Sequence, residues 1–398
     1  MRSMLTVLHR WFGLFIAVFL FIAGITGAII AWDHELDALI APEFYYAEGT
    51  GTPLTALEAV RRVEAEHPEF KITFVPTAVP EGETISAFVM PRTIADGTTP
   101  DLEFNQIAIN PYTGEIQAKR QWGELSLARA NLLPFIYKLH YSLHIPELGG
   151  WDAGMLLMGI IGIVWVLDCF IALSISFPSR AKWRKSFAFR WRSSSQKVTF
   201  DLHRSGGVWV WAFLLIMAVT SVSMNLGSQV VKPLVSLLSP LTPSPFETLP
   251  AVTHAVPDVS RETVVALAEA EAQRQGITKP LGGLYYSVEK NLYEMWFFEA
   301  GRAHGDFGLG NPRLYFDGAK GSYLGSVIPG EGTAGDIFIQ LQFPLHSGRI
   351  LGTTGRVLVT FMGLLIAVLS VTGVIIWARK RRARAVTSTP GTPTYEVT

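Results

Sequence analysis

Apolar and polar positions follow two different rhythms along this chain. Four stretches are almost continuously apolar: Trp11 to Trp32, Met155 to Phe177, Val208 to Leu226 and Val357 to Trp377. Each has roughly the 20 residues that an α-helix needs to cross about 30 Å of hydrocarbon. Between them, residues 33–152 and 229–356 change period. Each of these connections opens on a helical pattern, Leu54 to His67 and Val259 to Gly276. Strand-like alternation follows, then a hairpin with turn residues, Ile107 to Gly114 in one and Leu314 to Gly321 in the other. The pattern predicts an α-helical membrane protein: four transmembrane helices in two repeats, with two α+β domains carried on the long connections.

Short motifs repeat with the elements. Leu8-His9-Arg10-Trp11-Phe12-Gly13 opens the first span, and Leu202-His203-Arg204-Ser205-Gly206-Gly207 opens the third. Leu139-His140-Tyr141-Ser142 precedes the second, and Leu345-His346-Ser347-Gly348 the fourth. A Met-Gly pair then lies inside each of the latter two helices, Met158-Gly159 and Met362-Gly363. The expected segments are 1–32 (first span), 33–138 (first outer domain), 139–178 (second span with its histidine segment), 179–200 (basic loop), 201–228 (third span), 229–340 (second outer domain), 341–378 (fourth span with its histidine segment) and 379–398 (a disordered basic tail).

Charge orients the spans. The chain is neutral, with 33 Lys and Arg against 33 Asp and Glu, which removes the basic balance expected of a nucleic-acid binder. The balance is a cancellation: residues 33–152 and 229–356 carry 18 basic and 30 acidic residues, whereas the remainder carries 15 basic and 3 acidic. Basic residues collect in the 180–197 loop and at 379–384. The positive-inside rule then puts both of these and the N-terminus in the cytoplasm and the long connections outside. The first span leads into Trp32-Asp33-His34-Glu35 without a small-residue cleavage site, and reads as a retained signal anchor. The basic loop is interleaved with Trp183, Phe187, Phe189 and Trp191. Anionic headgroups are the plain partner for such a loop, and a docking electron donor the sharper one.

A single cysteine, Cys169, excludes disulfides, thiolate metal sites and covalent c-type haem attachment. Histidine is then the available ligand for redox iron. His9 and His203 lie at the cytoplasmic ends of spans one and three, and His140 and His346 at the outer ends of spans two and four, one pair per leaflet. Two histidines facing each other across a bundle can supply both axial nitrogens of one haem. Gly13 and Gly207, each four residues past its histidine, fall on the same helical face and leave room for a flat porphyrin. Arg10, Arg204 and Arg349 stand beside histidines as partners for haem propionates. The expected cofactors are two non-covalent b-type haems, with iron ligands His9, His203, His140 and His346. His144, four residues after His140 and on its face if a helix already runs there, is the alternative to His140. His34, at the outer end of span one, is a further competitor for the outer haem, while His67, His254 and His304 read as surface residues of the outer domains. Asp168, inside span two, is either a proton relay or a neutral hydrogen-bonding group against a neighbouring helix. The aromatic run Tyr285 to Phe298 reads as a packed strand pair.

These motifs, L-H-R-W-F-G-L, D-L-H-R-S-G-G and L-H-S-G-R-I-L-G, resemble those of the PepSY-associated transmembrane helix family over roughly residues 5 to 380. The outer segments, with P-Y-T-G-E and F-D-G-A-K-G turns, resemble its PepSY domains. Within that family, length and four-span layout are most similar to the inner-membrane ferric-siderophore reductases. The resemblance implies a di-haem protein passing electrons outward to periplasmic Fe(III)–siderophore, of a hydroxamate type such as ferrioxamine, and releasing Fe(II). It also implies a separate electron donor, because no glycine-rich flavin or NAD fingerprint is present in the cytoplasmic segments. Two other classes stay open: a haem-free membrane sensor of a periplasmic partner, and a siderophore transporter.

Overall fold

The computed structural model describes residues 1–93, 98–252, 256–305 and 307–387. In chain order the first elements are α1 (Arg2–Ile30), α2 (Asp33–Ile40), α3 (Ala56–Glu66), β1 (Phe70–Pro76), β2 (Ile85–Pro91), β3 (Gln106–Ile109), β4 (Ile116–Arg120) and α4 (Leu132–Ser142). A two-stranded ribbon, β5 (Glu147–Leu148) and β6 (Trp151–Asp152), leads into α5 (Ala153–Ser176), α6 (Trp183–Ser186), α7 (Ser195–Trp209) and α8 (Trp211–Leu226). There follow α9 (Lys232–Ser236), α10 (Pro245–Thr248), α11 (Arg261–Arg274), β7 (Leu281–Ser287), β8 (Leu292–Phe297), β9 (Arg313–Asp317), β10 (Tyr323–Val327), α12 (Ala334–His346) and α13 (Gly352–Thr387). The chain forms two compact units: residues 1–28, 139–227 and 358 onward in one, 29–138 and 228–357 in the other.

The first unit is helical. Its long helices belong to the four segments that, among the described residues, are apolar and long enough to cross a membrane, Arg2–Ile30, Ala153–Ser176, Trp211–Ser236 and Arg349–Arg384. Exposed apolar side chains at helical spacing, Trp11, Phe15 and Val18 on α1 and Phe361, Leu364, Val368 and Val371 on α13, give these helices lipid-facing surfaces. Their inner faces share one core, built from Ile16, Ile161, Trp165, Cys169, Leu214, Ala218, Met362 and Ile366. Small residues let the backbones close. A Cβ on Gly24 would stand 2.5 Å from the Gly363 carbonyl oxygen, and one on Gly363 2.4 Å from that of Gly24. Gly159 likewise meets Leu226, so both glycines of the repeated Met-Gly pairs are helix-packing contacts.

Helix boundaries differ from the sequence reading in three places. First, α1 begins at Arg2, which puts His9 two turns inside the helix rather than at its end. Second, α13 continues to Thr387, so the beginning of the expected disordered tail is helical. Arg, Lys and Ala are good helix formers, and cations favour a helix C-terminus. Residues 388–398 lie outside the described residues. Third, His203 is on α7, separated from α8 by a break at Val210.

The second unit carries both of the expected α+β segments, joined through a shared sheet. Its eight strands form one antiparallel sheet in the order β10-β9-β8-β7-β1-β2-β3-β4. The halves meet where β1 pairs with β7, Phe74 opposite Tyr285 and Val75 opposite Leu284. Each half is a helix laid over four strands, α3 for the first and α11 for the second, and the two helices contribute Val60, Val63, Val264 and Ala268 to one core. The reason lies in the strands: β1 and β7 are apolar enough to be central, and as sheet edges they would leave backbone groups unpaired. The aromatic run 285–298 is the β7–β8 pair, with Tyr286, Tyr293, Phe297 and Phe298 buried.

Candidate haem site

His9 on α1 and His203 on α7 come together, their ring centres 6.0 Å apart. Both rings are held from behind through Nδ1. His9 Nδ1 donates to the Asp168 carboxylate at 2.9 and 3.1 Å. His203 Nδ1 donates to the Leu369 carbonyl at 3.0 Å and stands 3.2 Å from the Thr372 hydroxyl oxygen. A carbonyl only accepts, so the neutral His203 imidazole carries its proton on Nδ1 and keeps Nε2 as a lone-pair donor; with Asp168 as an anion, His9 does the same.

The arrangement fits a porphyrin iron. Metal–imidazole bonds of about 2.0 Å on either side of one ion put the two ring centres about 6 Å apart. A tetrapyrrole supplies four of six ligands, so two imidazoles complete the set. Around them is a cavity of ≈ 760 Å³, lined by Gly13, Gly207, Trp165 and Trp211 among others. A Cβ at Gly13 would meet nothing within 4 Å and one at Gly207 only the end of Leu369, so both glycines face open space. Arg10, Arg204, Lys380, Arg381 and Arg384 line the same cavity, a basic rim suited to carboxylates. Arg204 is fixed by Asp201 at 3.5 Å, while its buried Nε has no hydrogen-bond partner among the described residues.

His140 is seated in the same way as His203. It lies on α4 rather than on span two, and its Nδ1 is 3.0 Å from the Thr26 hydroxyl oxygen. That hydroxyl gives its own hydrogen to the Ile22 carbonyl at 2.7 Å, so its oxygen accepts from His140. Thr372 donates to Val368 in the same back-bonded way, at 2.8 Å. The residue after each threonine is a glycine against the ring: a Cβ on Gly27 would stand 2.9 Å from His140 Cε1, and one on Gly373 3.0 Å from His203 Cε1. The signal was in the sequence, as Thr26-Gly27-Ala28-Ile29-Ile30 and Thr372-Gly373-Val374-Ile375-Ile376. A search for ligands alone passes over these seats.

The remaining candidates fall elsewhere. The helical-face argument for His144 fails: α4 ends at Ser142, and Leu143 and His144 have φ of 56° and 54°, a left-handed turn before the β5–β6 ribbon. His346 is the last residue of α12, in the sheet-bearing unit. Arg349, in that unit, pairs with Asp33 at 3.5 Å and lines a small polar cavity with Arg302 and Arg356. His34 stands 3.9 Å from Glu83 and edge-on to Tyr45, and His67 pairs with Glu69 at 3.1 Å. His304 is exposed, and His254 lies outside the described residues. Asp168, open between two roles in the sequence, has His9 as its partner.

Among the described residues, four helices long and apolar enough to cross a membrane, a broad antiparallel sheet and a pair of part-buried histidines define a multi-span membrane protein with a large sheet-bearing unit. The chain belongs to the PepSY-associated TM region family, whose model matches residues 6–380. No curated protein matches it.

Proposed function

We propose that this membrane protein is a di-haem b electron-transfer protein that carries electrons from the cytoplasmic side outward and reduces periplasmic Fe(III)–siderophore. The observation that carries the reading is the His9–His203 pair: two imidazoles 6.0 Å apart, each with Nδ1 engaged, in a cavity with a basic rim. His140, seated on Thr26 and Gly27 as His203 is on Thr372 and Gly373, is the first ligand of the second haem; His346 is put forward as a further ligand on its repeated sequence motif alone. Haem, when bound, supplies one-electron chemistry at a potential set by its ligands and their hydrogen bonds. The chain's own part is to hold the imidazoles in one tautomer, exclude lipid from the ring edge and offer cations to the propionates.

Fe(III) bound by hydroxamate oxygens is a hard ion on hard ligands, and one electron weakens those bonds without any general base. The siderophore class and the separate donor, a quinol or a small molecule or protein of the cytoplasm, follow from the family resemblance and the charge-based orientation. The test is the visible spectrum of the purified protein, reduced with dithionite and then mixed with Fe(III)–ferrioxamine and other ferric siderophores. Two low-spin b-type haems that are reoxidised by the ferric complex are expected, with about half the haem lost in His9→Ala. A protein without a Soret band is a haem-free sensor, and uptake of siderophore into proteoliposomes without reductant makes it a transporter.

A further inference from the structure

The two histidines of the candidate haem pair have unequal supports. His203 Nδ1 meets a neutral carbonyl and a hydroxyl, and His140 Nδ1 meets a neutral hydroxyl. His9 alone of these three meets a carboxylate, with both Asp168 oxygens within 3.1 Å of its Nδ1. Asp168 is 7% exposed and lies about two turns from the C-terminal end of α5, an otherwise uncharged helix. Among the described residues His9 is its hydrogen-bond partner. A carboxylate is expensive in such a place and is kept there by its pairing.

We infer that Asp168 is a positioning residue that makes His9 a stronger electron donor than His203 and so lowers the potential of the haem the two share. This deepens the haem reading and rests on it. An Nδ1–H bonded to an anion shifts electron density into the ring and raises the basicity of Nε2, more than a bond to a carbonyl or hydroxyl does. A more basic ligand favours the ferric over the ferrous state. The haem at His9 and His203, the first on the proposed electron path, is then held at a lower potential than a neutral group in place of Asp168 would give it. No bond is made or broken; one electron enters at the first site and leaves at the second.

The test uses the full-length protein in detergent and a potentiometric titration followed in the Soret and α bands. Asp168→Asn keeps two haems and raises one midpoint, with at least a tenfold change in that haem's reduction equilibrium, about 59 mV for one electron. Asp168→Glu, which retains the anion, stays within that tenfold of the parent. A haem-loaded neutral variant with both midpoints unmoved overturns the inference. If Asp168→Asn fails to keep its haem, Asp168→Ser and Asp168→Gln replace it. Loss of haem from every neutral variant also overturns it, because Asp168 would then hold the site together rather than tune it. A parent protein without haem is a different failure, that of the proposed function.

Discussion

At the scale of single residues, the histidines are legible and their seats are not. His9, His203, His140 and His346 declare themselves by recurring in matching contexts. Thr26, Gly27, Thr372 and Gly373 are small, common residues inside apolar helices, and only the folded chain shows an imidazole lying on each pair. Because Gly373 touches the His203 ring edge, Gly373→Leu is expected to push the ring out of line while leaving the helix intact. The expected result is loss of about half the haem absorbance with unchanged helical circular dichroism. Gly13→Ala, whose added methyl meets open space, should keep most of the haem. Equal haem content in the Gly373→Leu variant and the parent would mean that the ring does not need that seat.

At the scale of elements, spans one and four are set by backbone contact. Gly24 and Gly363 oppose each other so closely that a Cβ on either would run into the other's carbonyl oxygen, 2.5 and 2.4 Å away. Gly363→Leu should therefore separate α1 from α13 and cost about 1–3 kcal/mol, the usual penalty of overpacking. The measurement is thermal unfolding in detergent. Gly227→Ala serves as its control: the site has helical φ and nothing within 4 Å of the added methyl, so its melting temperature should be unchanged or slightly higher. An equal loss in both variants would place the effect in the bundle as a whole. The periodicity placed the four spans, since hydrocarbon thickness dictates the length of an apolar run, but missed how far the helices continue past it: α1 starts nine residues before Trp11, and the third span runs on to Ser236. It did not reveal that α4 stops before span two, because the stop is a pair of left-handed residues, Leu143 and His144, neither of them the glycine usual at such a position, and Pro146 comes only after the turn.

For the whole molecule, the sheet is held across its two halves by more than strand pairing. Arg261, on the helix of the second half, donates to both oxygens of Glu64, on the helix of the first, at 2.8 and 2.9 Å, and the Ile72 N–H adds a bond of 2.7 Å. Burial pushes the Glu64 carboxyl up, but Arg261 and these bonds outweigh it and hold the group below its ordinary value. A depressed acid stabilises the fold fully above its unfolded pKa of about 4.3 and loses that stabilisation as pH falls through the folded value. Glu64→Gln is therefore expected to lower the melting temperature at pH 7, by an amount equivalent to about 1–3 kcal/mol for the loss of charged hydrogen bonds in a part-buried pair. As pH falls below about 4.3 the difference should shrink, and it should vanish only below the depressed folded pKa of Glu64; a difference that stays constant from pH 7 into the strongly acid range would exclude the pair as a source of acid sensitivity. The sequence by itself determined the spans, the helix-and-hairpin content of both connections and the four repeated histidines, because these follow from local period and composition. Only the tertiary structure decided that β1 and β7 join two halves into one sheet, that Asp168 backs His9, and that threonine–glycine pairs seat His140 and His203. Each of these joins residues more than a hundred positions apart, where choosing a partner depends on packing and on satisfying buried polar groups, and no local pattern encodes either.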